Sequence, residues 1–129
     1  MKIVGIDHIV LTVQDVDATV RFYESVLGMR KEEFGNGRVA LKFGGQKINL
    51  HQYGNEFEPK AEIPKPGSED LCFIAETGLA EAMEHVQREG IGIIEGPVQR
   101  TGANGPIMSF YFRDPEGNLI EFANYENHT

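Results

Sequence analysis

The chain contains one cysteine, Cys72, and no tryptophan. A single cysteine excludes an intrachain disulfide, so the cysteine content gives no sign of an oxidising compartment. The missing tryptophan removes the side chain best suited to stacking on a flat aromatic ligand. No apolar run approaches the length that spans a bilayer, and Asp7 interrupts the first residues before a signal-peptide core could form. We therefore expect a cytoplasmic protein that makes no membrane contact.

Positive charge is also scarce. The chain has 12 Lys and Arg against 20 Asp and Glu, which gives a formal net charge of −8. This balance argues against general affinity for nucleic acid or anionic membranes, since both attract basic surfaces. The 129 residues with a 40% hydrophobic fraction suit one globular domain, or two very small halves sharing one core. We therefore expect the partner to be a small molecule.

Two stretches in the first half have clear periodicity. Residues 6–13 alternate between the two faces of an extended chain, which predicts a strand. Apolar residues then recur at helical spacing over residues 16–27, which predicts an amphipathic helix. Asp15 or Asp17 is placed to cap the first turn of this helix, and Gly28 is placed to end it.

The middle of the chain predicts a hairpin followed by a linker. Residues 39–43 and 47–52 read as two strands, joined by a turn at Gly44 and Gly45. Residues 54–68 hold three of the six prolines and few apolar side chains, which is typical of a linker.

The pattern of strand, helix and glycine stop restarts after the linker. His8 and Asp70 are 62 residues apart, and so are Gly28 and Gly90. An internal repeat of this kind indicates two similar modules. Within the second module we expect short strands near 92–95 and 107–113, a glycine-rich loop over 100–106 and a last strand over 119–125. The prediction is an α+β domain over 1–129, with module one at about 4–55, the linker at about 54–68 and module two at about 69–125.

Strand alternation places metal-competent side chains on the face away from the helix in both modules. Two imidazoles and two carboxylates occupy such positions, on the first and last strands of the modules: His8, His51, Asp70 and Glu121. This donor set suits zinc, nickel, manganese or iron(II). Each of these residues, taken alone, also has an interpretation without a metal ion. A strand histidine can bond to a backbone carbonyl group, and a carboxylate can face solvent. Surface roles suit the remaining histidines, His85 and His128, and a small buried hydrophobe is the ordinary role of Cys72.

Three segments resemble the vicinal oxygen chelate superfamily, which contains glyoxalase I, fosfomycin-resistance enzymes, bleomycin-binding proteins and extradiol dioxygenases. These segments are residues 6–13, Arg21–Met29 with its Phe-Tyr and Val-Leu-Gly elements, and Phe112–Phe122 with its Asp-Pro-Glu-Gly-Asn turn. Residues 46–51, 57–61 and 95–103 further resemble the glyoxalase domain-containing protein 5 group and bacterial virulence-associated, lactoylglutathione-lyase-like proteins.

The resemblance implies paired βαβββ modules that form a curved mixed sheet around a U-shaped cavity, usually in a homodimer. It also implies a divalent metal ion held by the first and last strands of the modules. His8 and Glu121 fall on the first and last ligand positions of the family. The third position, commonly His, is Asp70 here, and Asn49 stands where module one would match Glu121. His51, two residues beyond Asn49 and on the same face, is placed to supply the missing imidazole.

Three functions follow as hypotheses from this reading. The first is a metal-dependent lyase or isomerase acting on a small oxygen-chelating substrate, with Glu121, or second Asp70, moving the proton. The candidate substrate-contacting residues are Asn49, Tyr111, Arg100 and Arg113. The second is a metal-free protein that sequesters a small molecule or drug, as bleomycin-binding relatives do. The third is an extradiol-type dioxygenase, for which His8, His51 and Glu121 would supply two histidines and a carboxylate.

Overall fold

The computed structural model describes residues 1–126, so His128 lies outside the described part. The chain divides into two compact units, Met1–Ser68 and Glu69–Thr129. The division falls at the end of the segment that the sequence marks as a linker. In the first unit the elements are β1 (His8–Val13), α1 (Val16–Leu27), β2 (Arg30–Phe34), β3 (Arg38–Phe43) and β4 (Gln46–Gln52). They form a four-stranded sheet in the order β1-β4-β3-β2.

The second unit repeats the same order of elements. They are β5 (Asp70–Ile74), α2 (Leu79–Arg88), β6 (Glu95–Gly102), β7 (Gly105–Arg113) and β8 (Leu119–Tyr125). Their sheet has the order β5-β8-β7-β6, with one parallel pair at β5 and β8 and antiparallel pairs elsewhere. The predicted α+β fold of two tandem βαβββ modules is confirmed. Neither helix in residues 1–126 is long and apolar enough to span a membrane.

The first helix begins and ends where the sequence predicts. Asp15 is the N-cap, and its carboxylate accepts a hydrogen bond of 2.9 Å from the backbone N–H of Ala18. Gly28 ends the helix with φ of 67°, a left-handed conformation that favours glycine because it has no Cβ. Each helix covers one face of its sheet, and the residues beneath the two helices are buried: Leu11, Val13, Ile48, Leu50, Phe110, Phe112, Ile120 and Phe122.

Three local expectations differ from the structure. The sequence pattern does not reveal β2, because this edge strand carries mostly charged side chains and lacks apolar alternation. The strand expected at 92–95 runs instead from Glu95 to Gly102, so the expected loop at 100–106 is mostly hairpin and turns only at 103–104. β6 contains Pro97, a residue type that is rare inside strands. This strand is an edge strand with a register shift between Glu95 and Val98, where proline is tolerated.

The two parallel strand pairs have matching registers. Val10 pairs with Asn49 in the first unit, and Cys72 pairs with Glu121 in the second. Val10 and Cys72 are separated by the same 62 residues that separate His8 from Asp70. Asn49 therefore holds the position in the first sheet that Glu121 holds in the second, as the family resemblance implies.

Two buried polar side chains, Asp114 and Asn118, hold the turn that precedes β8. Oδ1 of Asp114 accepts from the backbone N–H groups of Glu116 and Asn118, both at 2.9 Å, and Nδ2 of Asn118 donates to Oδ2 of Asp114 at 2.8 Å. Oδ1 of Asn118 accepts from the backbone N–H of Glu69 at 2.9 Å. Because Glu69 directly precedes β5, these bonds set the pairing of β5 with β8.

We expect Asn118→Ala to lower the free energy of unfolding by about 2–4 kcal/mol, because it leaves a buried carboxylate oxygen and a backbone N–H without partners. Urea denaturation followed by circular dichroism measures this change. The control is Asn55→Ala at an exposed position, which should change stability by less than about 0.5 kcal/mol. Equal stability of the two variants would contradict a structural role for Asn118.

Candidate functional site

Four polar side chains form one row across the second sheet, on the face opposite α2. The register pairs Cys72 of β5 with Glu121 of β8, Glu121 with Tyr111 of β7, and Tyr111 with Glu95 of β6. Paired residues share a face because side chains alternate along each strand. The row thus places the Glu121 carboxylate between a thiol and a phenol.

Hydrogen bonds hold the Glu121 carboxylate in place. The Ser109 hydroxyl donates to its Oε2 at 2.6 Å, and the Cys72 thiol also interacts with Glu121. Tyr111 is the cross-strand neighbour of Glu121 in β7. Nε of Arg100 donates to the Tyr111 hydroxyl at 3.0 Å, and Nη2 of Arg100 lies 3.2 Å from a Glu95 oxygen. Short bonds to a charged carboxylate restrict its rotation and orient its oxygens.

The groups beside Glu121 stay protonated at neutral pH. Desolvation, followed by the negative charge of Glu121, raises the pKa of the Cys72 thiol to about 11. Desolvation also raises the pKa of Tyr111, although the hydrogen bond from Arg100 acts in the opposite direction. Cys72 is therefore a hydrogen-bond donor to Glu121 and a poor nucleophile at neutral pH.

A cavity of about 400 Å³ lies on this face of the second unit. This volume suits a small metabolite. Its lining includes the charged residues Glu121 and Arg100, the hydroxyl-bearing Tyr125 and three less polar residues, Cys72, Ile74 and Ile107. A negative group and a positive group thus share a partly apolar cavity.

Three predicted residues of the second unit are outside this cavity lining: Tyr111, which pairs with Glu121, and also Asp70 and Arg113. Asp70 is exposed and pairs with Leu119, two register positions from Glu121. Arg113 pairs with the same Leu119 and donates from Nη1 to the carbonyl oxygen of Gly117 at 3.2 Å, at the turn before β8. The roles assigned to Asp70 and Arg113 stay predictions.

In the first unit, His8 has the arrangement of an oriented imidazole. Its Nδ1 lies 2.8 Å from Oδ1 of Asp7, and this hydrogen bond lowers the pKa of Asp7. A carboxylate on Nδ1 leaves Nε2 as the nitrogen that can face a metal ion, which is a common arrangement of metal-binding histidines. The His8 side chain is 45% exposed, so the ring is accessible.

The sheet of the first unit does not bring His51 next to His8. His8 pairs with Lys47 and His51 pairs with Thr12, so the imidazoles lie four positions apart, about 13 Å along the strands. His51 and Asn49 are buried, and neither His51 Nε2 nor Asn49 Oδ1 has a hydrogen-bond partner among residues 1–126. Burial lowers the pKa of His51, and the nearby Arg38 charge lowers it further.

The donor chemistry fits a divalent metal ion, although the full ligand set stays a prediction. His8 offers a free imidazole nitrogen and Glu121 offers an oriented carboxylate, the ligand types that zinc, nickel, manganese and iron share. Among residues 1–126, no group of three or more His, Cys, Asp or Glu side chains is close enough to hold a metal ion.

Sequence reasoning missed the partners of Glu121. Ser109 and Tyr111 are two residues apart in β7, so their side chains lie on the same face of the sheet. This alternation could have placed the Ser109 hydroxyl near Glu121. Glu95 could not be found in this way, because the prediction gave its strand the wrong boundaries.

Residues 5–122 match the glyoxalase/bleomycin resistance protein/dioxygenase superfamily, and the chain belongs to this family. It is 54% identical over 127 residues to glyoxalase domain-containing protein RDO1 of Mycosarcoma maydis, a match that covers 98% of this chain and 72% of the relative. It is 58% identical over 125 residues to virulence protein STM3117 of Salmonella typhimurium, covering 97% of this chain and 87% of the relative.

Solved structures agree with this assignment. Integron cassette protein VCH_CASS1, from the mobile metagenome of V. cholerae, superposes with a TM-score of 0.96 at 63% identity, covering 98% of each chain. More distant matches include the metallothiol transferase FosB of Staphylococcus epidermidis, at 26% identity over 94% of this chain and 82% of the relative. Lactoylglutathione lyase from Agrobacterium tumefaciens has a TM-score of 0.71 at 25% identity, with 93% and 92% of the two chains covered.

We expect Cys72 to react slowly with iodoacetamide from about pH 7 to about pH 9, with a rate that rises with pH throughout, because the thiolate is scarce below a pKa of about 11. Glu121→Gln removes a negative charge from beside the thiol, so the variant should react faster at each pH. Mass spectrometry follows the single cysteine without ambiguity. Glu84→Gln, on the exposed side of α2, is the matched control. In a profile extended to about pH 11, a wild-type rate that reaches half of its maximum near pH 9.0, the ordinary pKa of a thiol, would contradict the assigned environment.

Proposed function

We propose that the chain is a divalent-metal-dependent enzyme that moves a proton on a small oxygen-bearing substrate, in the manner of a lyase or isomerase. The observation that carries this proposal is the Glu121 carboxylate, which faces a cavity of about 400 Å³ and is held by Ser109 at 2.6 Å. A carboxylate with fixed orientation beside a substrate-sized cavity is suited to general base catalysis. The names of two distant relatives, a metallothiol transferase and a lactoylglutathione lyase, are consistent with this chemistry.

The side chains around the cavity have distinct roles in this mechanism. Glu121 accepts a proton from a substrate carbon next to a carbonyl group and returns it at the neighbouring position. Ser109 keeps the carboxylate aligned through its hydrogen bond, and Tyr111 lies beside the carboxylate on the neighbouring strand. Arg100 lines the cavity and offers positive charge to an anionic group of the substrate. Asp70 is the second candidate for proton transfer.

The proposed metal ligands are His8, His51, Asp70 and Glu121. A bound divalent cation would polarise the substrate oxygens and stabilise the negative charge that develops when the proton leaves. The pairing of His8 with Asp7 and the orientation of Glu121 support the roles of these two residues. We further propose a homodimer in the cytoplasm, the state and location expected from the sequence.

The test is metal analysis and kinetics on protein purified without chelator and loaded separately with Mn²⁺, Ni²⁺, Zn²⁺ or Fe²⁺. We expect about one metal ion per chain and turnover in either a hemithioacetal isomerase assay or a thiol–epoxide transfer assay. Glu121→Gln should lower kcat by about 10²- to 10⁴-fold, the usual contribution of a general base. His8→Ala should weaken metal binding strongly, whereas His85→Ala should leave both metal binding and kcat unchanged.

Metal content below about one tenth of an equivalent after loading would overturn the proposal and favour the alternative of a metal-free binding protein. Consumption of O₂ with a catechol in the iron-loaded protein would instead favour the dioxygenase alternative. Unchanged kcat in Glu121→Gln would remove this residue from the chemistry.

A further inference from the structure

Tyr125 lines the cavity of the second unit at the end away from Glu121, and the proposed mechanism does not use it. The two residues are four positions apart in β8, so their side chains lie on the same face of the sheet. Their Cα atoms are about 13 Å apart along the strand. The cavity therefore extends from the carboxylate to a phenol near the hairpin of β6 and β7.

The backbone of this hairpin holds the Tyr125 hydroxyl in place. The N–H of Asn104, at the hairpin turn, donates a hydrogen bond of 3.0 Å to the hydroxyl oxygen. Gly102 makes room for this contact. A Cβ at Gly102 would lie 2.9 Å from the Tyr125 hydroxyl oxygen and 3.0 Å from Cγ2 of Ile107. The position of the hydroxyl therefore depends on the missing side chain of Gly102.

The proton of the Tyr125 hydroxyl is available to a ligand. A phenol can donate one hydrogen bond and can also accept. Within residues 1–126, the bond from Asn104 is the one hydrogen bond of this hydroxyl, and in it the hydroxyl accepts. An accepted hydrogen bond polarises the O–H group and strengthens it as a donor. Tyr125 thus offers an oriented donor to an oxygen atom in the cavity.

The two ends of the cavity differ in charge. At the Glu121 end, Nε of Arg100 donates to Tyr111, the cross-strand neighbour of Glu121, so a guanidinium and a carboxylate are close. The other lining residues near Tyr125 carry no charge: Thr101, Gly102 and Ala103. An ionised group placed there would lose water without gaining a counter-charge. The Tyr125 end therefore suits an uncharged acceptor, such as a carbonyl oxygen.

Apolar side chains line the cavity between these two ends. Ile107 pairs with Arg100 on one side and with Tyr125 on the other. Ile74 pairs with Ala123 and is 52% exposed although it lines a cavity. Covering an exposed isoleucine with methylene groups of a ligand is favourable. The middle of the cavity therefore suits a short aliphatic chain.

We propose that the substrate is a small monoanion with an uncharged carbonyl oxygen at its far end, joined to the reacting end by a short aliphatic chain. Tyr125 donates a hydrogen bond to this oxygen, and Ile74 and Ile107 contact the chain. Arg100 binds the anionic group near Glu121. Calling this ligand the substrate rests on the proposed function, whereas the contact with Tyr125 needs neither metal nor turnover.

The test is an NMR titration of the full chain in EDTA with two matched pairs of probes. In each pair a methylene group replaces the carbonyl oxygen: 5-oxohexanoate with 5-methylhex-5-enoate, and 7-oxooctanoate with 7-methyloct-7-enoate. The backbone amide signals of Gly102 and Asn104 report binding at the hairpin. We expect saturable shifts of these signals, and in at least one pair the oxo acid should bind about fivefold or more tightly than its partner.

Variants assign this preference to Tyr125. Tyr125→Phe removes the hydroxyl alone and should bring the ratio of the two Kd values within a pair to about one. Tyr53→Phe is the matched control, because it removes an exposed hydroxyl from the first unit, and it should leave the ratio unchanged. Glu121→Gln should also leave the ratio unchanged, since Glu121 lies at the other end of the cavity. Circular dichroism confirms that each variant is folded.

Absence of saturable Gly102 and Asn104 shifts with all four probes would overturn the proposal. A wild-type ratio of about one in both pairs, or a ratio that Tyr125→Phe leaves unchanged, would also overturn it. The titration is done in EDTA and without turnover. Loss of the carbonyl preference is therefore distinguishable from failure of the proposed function, which metal analysis and kinetics report.

Discussion

The hydrogen bonds between Asp114 and Asn118 are the constraint on which the second unit depends. Asn118 joins the turn before β8 to the residue before β5, and so fixes the register of the parallel pair. A shift by one residue would turn Glu121 to the opposite face of the sheet. The position of the candidate catalytic carboxylate therefore depends on two buried side chains that take no part in the chemistry.

The two units share a register but differ in what they place on it. In the second unit Glu121 sits between hydrogen-bond donors and faces a cavity that Arg100 also lines. In the first unit the equivalent position is Asn49, and Lys42 and Lys47 lie on the same face of the sheet. The two sheets have the same strand order, but their open faces differ in charge. The second sheet presents the carboxylate of Glu121, whereas the first presents several cations.

The sequence predicts the parts of this protein that depend on local pattern. Strand alternation, the Asp15 cap and the repeat of 62 residues give both modules and the face on which Glu121 lies. The bond from Ser109 to Glu121 was not predicted, because it depends on how β7 pairs with β8. The bond from Arg100 to Tyr111 was not predicted either, because it depends on how β6 pairs with β7. The stacking of Arg38 on Phe57 was not predicted either, since it depends on the fold of a segment without periodicity.

Two residues near the start of β8 therefore have different roles. Asn118 stabilises the fold, whereas Glu121 belongs to the candidate catalytic site. Thermal unfolding of Glu121→Gln and Asn118→Ala, measured beside wild type in the same buffer with EDTA, tests this claim most directly. The account predicts a Tm for Glu121→Gln that equals or exceeds the wild-type value, since functional carboxylates are seldom optimal for stability, and a Tm for Asn118→Ala about 5–15 °C lower. A fall in Tm for Glu121→Gln as large as that for Asn118→Ala would contradict it, because Glu121 would then be part of the structural frame.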